Sequence, residues 1–596
     1  MTFENRNDIP LRYTWDLTQI YKNDEGFHKD VEDATNKVSE LSRFKGKLNK
    51  DTTVLECFKA LSEITLPLEK ASCYAYLKNS ENNKDTKAQE LMEKAMRVLT
   101  AFSQASAFID PELTALPEEV LDGFLKDPRF ADNSVTLRKI KAGKAHVLTA
   151  AEEEMLSGAS DVARFYQETY SRLDSGDLDF GTINVDGKQV HITHGTYSVL
   201  INDRRQEVRR KAFESLYNAY EKYINTISGL YNGSVKYDCF TAKTRKFDSA
   251  LSKALFYEEV DEAVYQNLIE SVNANLKPLH HYMALRKEVL KLENLNMYDL
   301  SFPMFEDAEI AVEFDEAFEL VKKGLEPLGK DYQQLLQKAF DNRWMDVYES
   351  KGKRSGAYSM GVTAVHPYVM LNYQKTTHDV FTIAHELGHS MHSFYSSQAQ
   401  PYEKEDYTIF VAEVASTTNE VILLHYLLEK EKDIKLRKFL LSYYLDMMRS
   451  TYFRQTMFAE FEAKTHNMVE KGLPFNYESL SNKYYELNKK YYGEAVTHND
   501  SIKYEWARIP HFYRGFYVYK YATGIACAIN IAKKILEEGE SAVKNYKKFL
   551  STGSSLDPIS ELKIAGVDLT DKKPYEVITK EFVDTLAQLT DLCRKS

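Results

Sequence analysis

Residues 383–394 read IAHELGHSMHSF, and they place two histidines and a glutamate inside an otherwise apolar run. At about 100° per residue, His385 and His389 lie on one face of an α-helix, so both imidazoles can reach the same metal ion. Glu386 is rotated away from this pair, yet it is close enough to contact a water molecule on the metal. The spacing therefore predicts a helix that carries two metal ligands and a general base.

Two neighbouring features favour this interpretation over a buried helix whose histidines only hydrogen-bond to their neighbours. Gly388 interrupts the predicted helix at a cost of about 1 kcal/mol relative to alanine, and its lack of a side chain permits close approach of another backbone. A buried histidine also needs polar partners, whereas leucine or alanine at the same position needs none. A helix with only a packing role would therefore be expected to carry leucine or alanine there. Thr376 and Asp379 fit a capping box, so the helix is predicted to begin there.

A catalytic zinc ion has three protein ligands and one open position, so a third ligand is needed. The metzincin pattern H-E-x-x-H-x-x-G-x-x-H is excluded, because His392 occupies its glycine position and Tyr395 its last histidine position. His378 and His392 each lie seven residues from a motif histidine, nearly two helical turns away. We assign them structural or supporting roles, with His392 the better candidate to line the site.

The third ligand is predicted on a second helix. The apolar segment 406–428 contains two acidic residues after its start, Glu413 and Glu420. A carboxylate in such a helix needs a compensating charge, which zinc supplies. We predict Glu413 as the third ligand of one Zn²⁺ per chain. Glu420 either orients a ligand histidine or forms a salt bridge.

The composition predicts a mainly α-helical fold, because only 24 glycines and 14 prolines interrupt 596 residues. Alternating residues around Asp186-Gly187 predict a β-hairpin at 176–196. We place the domain boundary there, with an N-terminal helical lobe at 1–190 and the catalytic domain at 191–596. A second β signal covers 355–373 and includes the strand-like run PYVMLNY.

The net charge and the cysteines indicate which classes of partner and which cellular compartment to expect. The net charge of −12 argues against nucleic acid as a partner. No run approaches 18 apolar residues, so no membrane span is expected. The five cysteines are scattered, which is typical of reduced thiols, and the first residues lack a signal-peptide core. We expect a cytoplasmic protein.

Several motifs in one order resemble those of the M3 metallopeptidases, closest to the oligoendopeptidase F branch. They are HELGHSMHSF followed by FVAEVAST, and later WARIPHFYRGFYVYKYATG at 506–524. The resemblance implies two helical lobes that enclose a deep substrate channel, with zinc on the channel floor and a small β-sheet beside the zinc-binding helix. It also implies that only short, unstructured peptides enter, and that the metal ligands and general base are those assigned above.

The same resemblance adds His511 and nearby tyrosines as groups that contact the substrate and the developing oxyanion. Tyr517 and Tyr521 are four residues apart on a helix predicted to start near Gly515, so both can face one cleft. Packing between helices is the alternative role for this pair. The choice within the segment stays open among Tyr513, Tyr517, Tyr519 and Tyr521.

The resemblance also makes PYVMLNY an edge strand beside the zinc-binding helix. A peptide could add to such an edge through backbone hydrogen bonds. That mode of binding recognises extended backbone rather than sequence, which suits broad specificity.

The function predicted from these features is hydrolysis of internal bonds in short oligopeptides. One alternative is a peptidyl-dipeptidase or zinc carboxypeptidase, which needs a cation for the terminal carboxylate; Arg508 and Arg514 are the candidates. The other is a non-catalytic peptide-binding protein with a structural zinc, which would have four protein ligands. The oligomeric state is left open, a monomer included.

Overall fold

The computed structural model describes residues 2–305 and 310–595 of the chain. The fold is mainly α-helical with only small sheets, as the scarcity of glycine and proline predicts. No helix among the described residues is both long and apolar enough to cross a membrane.

The helices follow one another with short connections through most of the chain. In chain order they are α1 Asp24–Glu40, α2 Asp51–Glu81, α3 Thr86–Ser106, α4 Ile109–Thr114, α5 Glu118–Lys126, α6 Ser134–Gly143, α7 Ala150–Arg172, α8 His194–Leu200, α9 Gln206–Lys222, α10 Ile224–Thr244, α11 Ala250–Tyr257, α12 Glu262–Ala274, α13 Lys277–Val289, α14 Phe314–Gly324, α15 Lys330–Asp341, α16 Thr377–Ala399, α17 Tyr402–Glu405, α18 Ala412–Lys430, α19 Ile434–Met448, α20 Arg454–Glu470, α21 Tyr477–Tyr492, α22 Tyr519–Glu538, α23 Glu540–Leu550, α24 Pro558–Ile564 and α25 Lys573–Arg594.

The strands are short, and those in the described part of the chain form four small sheets. They are β1 Thr2–Phe3, β2 Thr182–Val185, β3 Lys188–His191, β4 Leu295–Asn296, β5 Met345–Asp346, β6 Glu349–Ser350, β7 Tyr358–Met360, β8 Tyr368–Met370 and β9 Val496–Thr497. Strands β2 and β3 are the predicted hairpin, and both turn residues, Asp186 and Gly187, have the left-handed backbone that this turn requires.

The sheet beside α16 corrects one prediction. Its order is β5-β8-β7, and β8 lies within PYVMLNY. This strand is therefore central rather than an edge, and all three of its residues are buried. The edge strands are β5 and β7, and β7 packs on α16, where Ser359 Oγ lies 2.8 Å from Ser390 Oγ. Sequence pattern alone does not reveal that a run this short has a partner on each side.

The chain divides into two compact units, each built from separate segments. Unit 1 comprises Met1–Val147, Glu309–Leu427 and Ile531–Val567, and unit 2 comprises Leu148–Ala308, Leu428–Asn530 and Asp568–Ser596. The predicted division at residue 190 follows the chain order rather than these interleaved units. The domains 1–190 and 191–596 therefore stay a prediction.

Unit 1 has a core in which α1, α2 and α3 pack together. Tyr368 and Met370 of β8 insert into the same core, so the small sheet and the helices share one apolar interior. Unit 2 has an aromatic centre on α10, where the buried Tyr231 ring contacts the rings of Phe461, Trp506 and Phe512. This packing places the segment after residue 500 firmly against α10 and α20.

Candidate active site

The helix that carries the motif begins where the capping box predicts. The Thr376 hydroxyl accepts from the Asp379 backbone N–H at 3.2 Å, and the Asp379 carboxylate accepts from the Thr376 N–H at 2.9 Å. The reciprocal bonds satisfy two donors at the start of α16. From there α16 runs to Ala399 within unit 1, with the motif near its centre.

Helix α18 lies unusually close to α16 at Gly388. A Cβ atom on Gly388 would lie 2.6 Å from the Ser416 Cα and 2.7 Å from the Ala415 carbonyl oxygen. Only glycine therefore fits, as the sequence predicts. The buried Asn419 side chain ties the helices further by donating to the Ala384 carbonyl at 3.0 Å. Close backbone approach and this bond together set the register between the helices.

That register brings the three predicted ligand residues together. The Nε2 atoms of His385 and His389 are 3.2 Å apart, and they lie 3.3 and 3.5 Å from one carboxylate oxygen of Glu413. Donor atoms about 2.0–2.2 Å from one tetrahedral zinc ion lie about 3.3–3.6 Å from each other. The residues present therefore fit a bound metal ion, and no fourth ligand joins them among the described residues.

Glu420 contacts the far side of one ligand histidine. Its carboxylate lies 2.6 Å from Nδ1 of His385, so Nδ1–H donates to Glu420 and Nε2 is left to face Glu413. A carboxylate in this position fixes the histidine tautomer and ring orientation. Of the two roles that the sequence leaves open for Glu420, the geometry agrees with orientation of a ligand histidine.

Glu386 is buried beside the three ligand residues. One of its carboxylate oxygens has no hydrogen-bond partner among the described residues. Burial raises the pKa of Glu386 above its usual range, against the opposing effect of His385 and His389. An unpartnered buried carboxyl with a raised pKa is suited to accept and return a proton.

The remaining histidines of α16 are not placed as ligands. His392 is buried and stacks on Tyr407, with ring centroids 3.6 Å apart, and its two nitrogens have no partner among the described residues. Burial lowers the pKa of His392 to about 3. The ring is therefore uncharged at neutral pH and packs as an aromatic group. His378 lies exposed in the first turn.

His511 and two tyrosines form a cluster within unit 2. The His511 and Tyr517 ring centroids are 5.9 Å apart, and the Tyr521 hydroxyl lies 3.5 Å from His511 Nε2. The predicted helix start near Gly515 is wrong, because α22 begins at Tyr519 and Tyr517 lies in the preceding turn. The pair nevertheless packs together, with ring centroids 5.6 Å apart.

The other two tyrosines of this segment are turned into the packing of unit 2. Tyr513 stacks on Tyr170, and its hydroxyl is buried with no partner among the described residues. The Tyr519 hydroxyl donates to Glu258 at 2.8 Å. The structure thus separates Tyr517 and Tyr521 from Tyr513 and Tyr519.

A residue that the sequence did not single out supports the turn before α22. The buried Glu462 on α20 accepts the backbone N–H of Phe516 at 3.0 Å. Phe516 has a positive φ of 59°, a strained conformation for a side chain of this size. In the sequence, Glu462 is visible only as a glutamate among the apolar residues of α20. That pattern does not reveal that its partner is the backbone N–H of Phe516.

Comparison with known proteins agrees with this geometry. Residues 199–580, well over half of the chain, match the profile of Peptidase family M3. The chain belongs to this family. A second profile, described as Oligopeptidase F, matches residues 112–180. The resemblance inferred from the sequence is confirmed, and the His385, His389 and Glu413 group fits the metal-binding set of an M3 metallopeptidase.

Relatives of M3 type align along nearly the whole chain. Oligopeptidase PepF of Bacillus subtilis is 40% identical over 594 residues, covering 99% of this chain and 89% of that protein. Group B oligopeptidase PepB of Streptococcus agalactiae is 38% identical, covering 99% of both chains. The crystal structure of oligoendopeptidase-F from Enterococcus faecium has a TM-score of 0.76 at 34% identity, covering 96% of this chain and 100% of that one.

Replacement of Gly388 by alanine tests the close approach of α16 and α18. The added methyl group meets backbone atoms that cannot rotate away, so we expect a destabilisation of about 1–3 kcal/mol. The helices must separate to admit it, so we also expect the affinity for a metal ion to fall about tenfold or more. Urea unfolding followed by circular dichroism and metal analysis after dialysis provide the measurements.

The matched control is Gly123→Ala on α5, where an added Cβ would meet nothing within 4 Å. This variant should be unchanged or more stable by about 0.5–1 kcal/mol. A Gly388→Ala protein with full metal content and an unshifted unfolding midpoint would contradict the requirement for glycine at this position.

Proposed function

We propose that this chain is a zinc-dependent endopeptidase that hydrolyses internal bonds of short, unstructured oligopeptides. The observation that carries the proposal is the triangle of His385, His389 and Glu413 donor atoms beside the buried Glu386, in a chain of family M3. The names of the relatives, which are oligopeptidases, support the substrate class.

The donor set supports zinc as the metal. Two imidazole nitrogens and one carboxylate oxygen form the His2Glu set found in catalytic zinc sites, which keep a position open for water or substrate. The bound zinc ion would lower the pKa of water toward 7 and polarise the carbonyl of the scissile bond.

Glu386 is the proposed general base and acid. Its raised pKa brings the carboxylate closer to the pH at which a proton can be both accepted and returned. In the forward step, Glu386 takes a proton from the attacking water. It then delivers that proton to the nitrogen of the departing amine, and this restores the carboxylate for the next turnover.

His511, Tyr517 and Tyr521 are the proposed groups that contact the substrate and stabilise the oxyanion. Burial and the charge of Arg514 lower the pKa of His511, so its ring is neutral at pH 7 and one ring nitrogen carries a proton to donate. The tyrosine hydroxyls are also hydrogen-bond donors. Donors aimed at a developing negative charge stabilise the transition state more than the ground state.

We also propose that the enzyme works in the cytoplasm. All five cysteines are free, which is usual for proteins in a reducing compartment. Short peptides in the cytoplasm would then be the substrates of the enzyme.

Replacement of Glu386 by glutamine removes the base while it preserves the shape of the side chain. We expect zinc to stay bound and kcat on a short fluorogenic peptide to fall by about 10²–10⁴-fold. Glu429→Gln, which changes an exposed carboxylate, is the control and should keep full activity. Near-normal turnover of the Glu386 variant would exclude it as the base.

Phenylalanine substitutions test the tyrosine assignment. We expect Tyr517→Phe, Tyr521→Phe or both to lower kcat by about 10²–10³-fold with little change in KM. Tyr513→Phe should leave kcat unchanged, because its hydroxyl is buried and unpartnered among the described residues. If only the Tyr513 variant loses activity, the assignment is wrong.

Product mapping separates endopeptidase activity from the exopeptidase alternative. Peptides blocked at both ends should still be cleaved at internal bonds, whereas a carboxypeptidase or peptidyl-dipeptidase requires a free C-terminus. A folded protein should remain intact in the same mixture. Mass spectrometry of the products measures both outcomes, and cleavage that yields only C-terminal residues or dipeptides would overturn the proposal.

A further inference from the structure

The structure separates the two arginines that the sequence left as candidates for a carboxylate ligand. Arg514 is exposed, with its guanidinium over the Tyr517 ring. Arg508 is half-buried and lines a cavity of about 580 Å³ that lies entirely within unit 2. His511, three residues further along the chain, lines the same cavity.

The charges around this cavity are unbalanced. Its wall holds three arginines and a single glutamate, Glu505. Arg454 forms a bidentate ion pair with that glutamate, with hydrogen bonds of 2.8 and 3.2 Å. Arg449 pairs with Asp446 at 2.8 Å. Neither of these arginines has a free charge to offer a ligand.

Arg508 differs because no carboxylate forms an ion pair with it among the described residues. Its guanidinium lies 5.0 Å from the ring centre of Tyr197 and 5.9 Å from that of Tyr217, and its bond to the Tyr217 hydroxyl is long, at 3.5 Å. Aromatic faces hold a guanidinium in place without neutralising it. Arg508 is therefore a positioned cation whose hydrogen-bonding capacity is largely unused.

The rest of the cavity wall mixes apolar side chains with uncharged polar ones, which suits a peptide. Met297, Leu300 and Ile502 line the cavity beside the charged groups. The whole protein carries a net charge of −12, whereas the charged side chains that line this cavity are mostly positive. Arginine binds a carboxylate through two parallel hydrogen bonds, which suits a peptide carboxylate flanked by apolar side chains.

We propose that Arg508 binds a carboxylate of the peptide substrate, with the C-terminal α-carboxylate as its ligand. The inference rests on the proposed function, because His511 of the same cavity is assigned there to substrate contact. A free C-terminus would then strengthen the binding of a peptide through a charge-assisted hydrogen bond.

Three peptides of one sequence test this inference: the free acid, the C-terminal amide, and the amide with glutamate as its last residue. The wild-type enzyme should cleave the free acid with a kcat/KM roughly tenfold or more above that of the amide, the usual gain from a charge-assisted bond. Arg508→Gln should lower this ratio to about one, because the preference for the free acid depends on the guanidinium. Recovery of cleavage by the terminal glutamate would assign a side-chain carboxylate instead.

Arg210→Gln is the matched control, because Arg210 is exposed on α9, the helix that carries Tyr217. It should keep the wild-type preference for the free acid. Arg508→Lys keeps the charge without the planar fork, and we expect an intermediate preference. If circular dichroism shows that Arg508→Gln is not folded, the inference is tested instead with the lysine variant and with product inhibition. A short product peptide should inhibit the wild-type enzyme about tenfold better as an acid than as an amide.

Equal kcat/KM for acid and amide in the wild-type enzyme would overturn the inference, as would an undiminished preference in Arg508→Gln. Both results leave the proposed function intact, because the amide is still cleaved. If no peptide is cleaved by the zinc-loaded wild-type enzyme, the proposed function itself fails. The set of peptides thus distinguishes the two failures.

Discussion

The close approach of α16 and α18 at Gly388 is the constraint on which the site in unit 1 depends. Two histidines on one helix cannot complete a three-ligand set, so a carboxylate must come from another element. Glu413 reaches them only because the backbone of α18 lies where a side chain at residue 388 would otherwise be. The interhelical bond of Asn419 fixes the same register from within the core. The arrangement of the three proposed metal ligands is thus a consequence of backbone packing.

The burial of polar groups follows from the same arrangement. Glu386, His385 and Glu420 lie on or beside apolar helices, where an uncompensated charge is costly. Glu420 and His385 compensate one another through a 2.6 Å contact, whereas one oxygen of Glu386 has no partner. Of these three groups, Glu386 is the one with an unpartnered oxygen among the described residues, and it is the one proposed to exchange protons with water.

The sequence predicted what depends on local pattern. Spacing along one helix identified His385, His389 and Glu386, and the capping box marked the start of α16. The order of strands around β8 could not be predicted, because it depends on pairing between residues far apart in the chain. The same holds for Glu462, whose bond to Phe516 shapes the turn before α22 and moves Tyr517 off the helix where periodicity placed it.

Arg508 illustrates why an inventory of charged residues does not locate a binding site. In the sequence, Arg508 and Arg514 are equivalent cations on one segment. In the fold, the difference lies in burial: Arg514 is exposed and contacts one tyrosine ring, whereas Arg508 is half-buried against two tyrosine rings and lines a cavity. Glu505 acts on Arg508 only at a distance, without an ion pair, because Arg454 holds both of its oxygens. Competition among arginines for one carboxylate therefore decides which cation remains available, and that competition exists only once α20 and the segment after residue 500 have packed together.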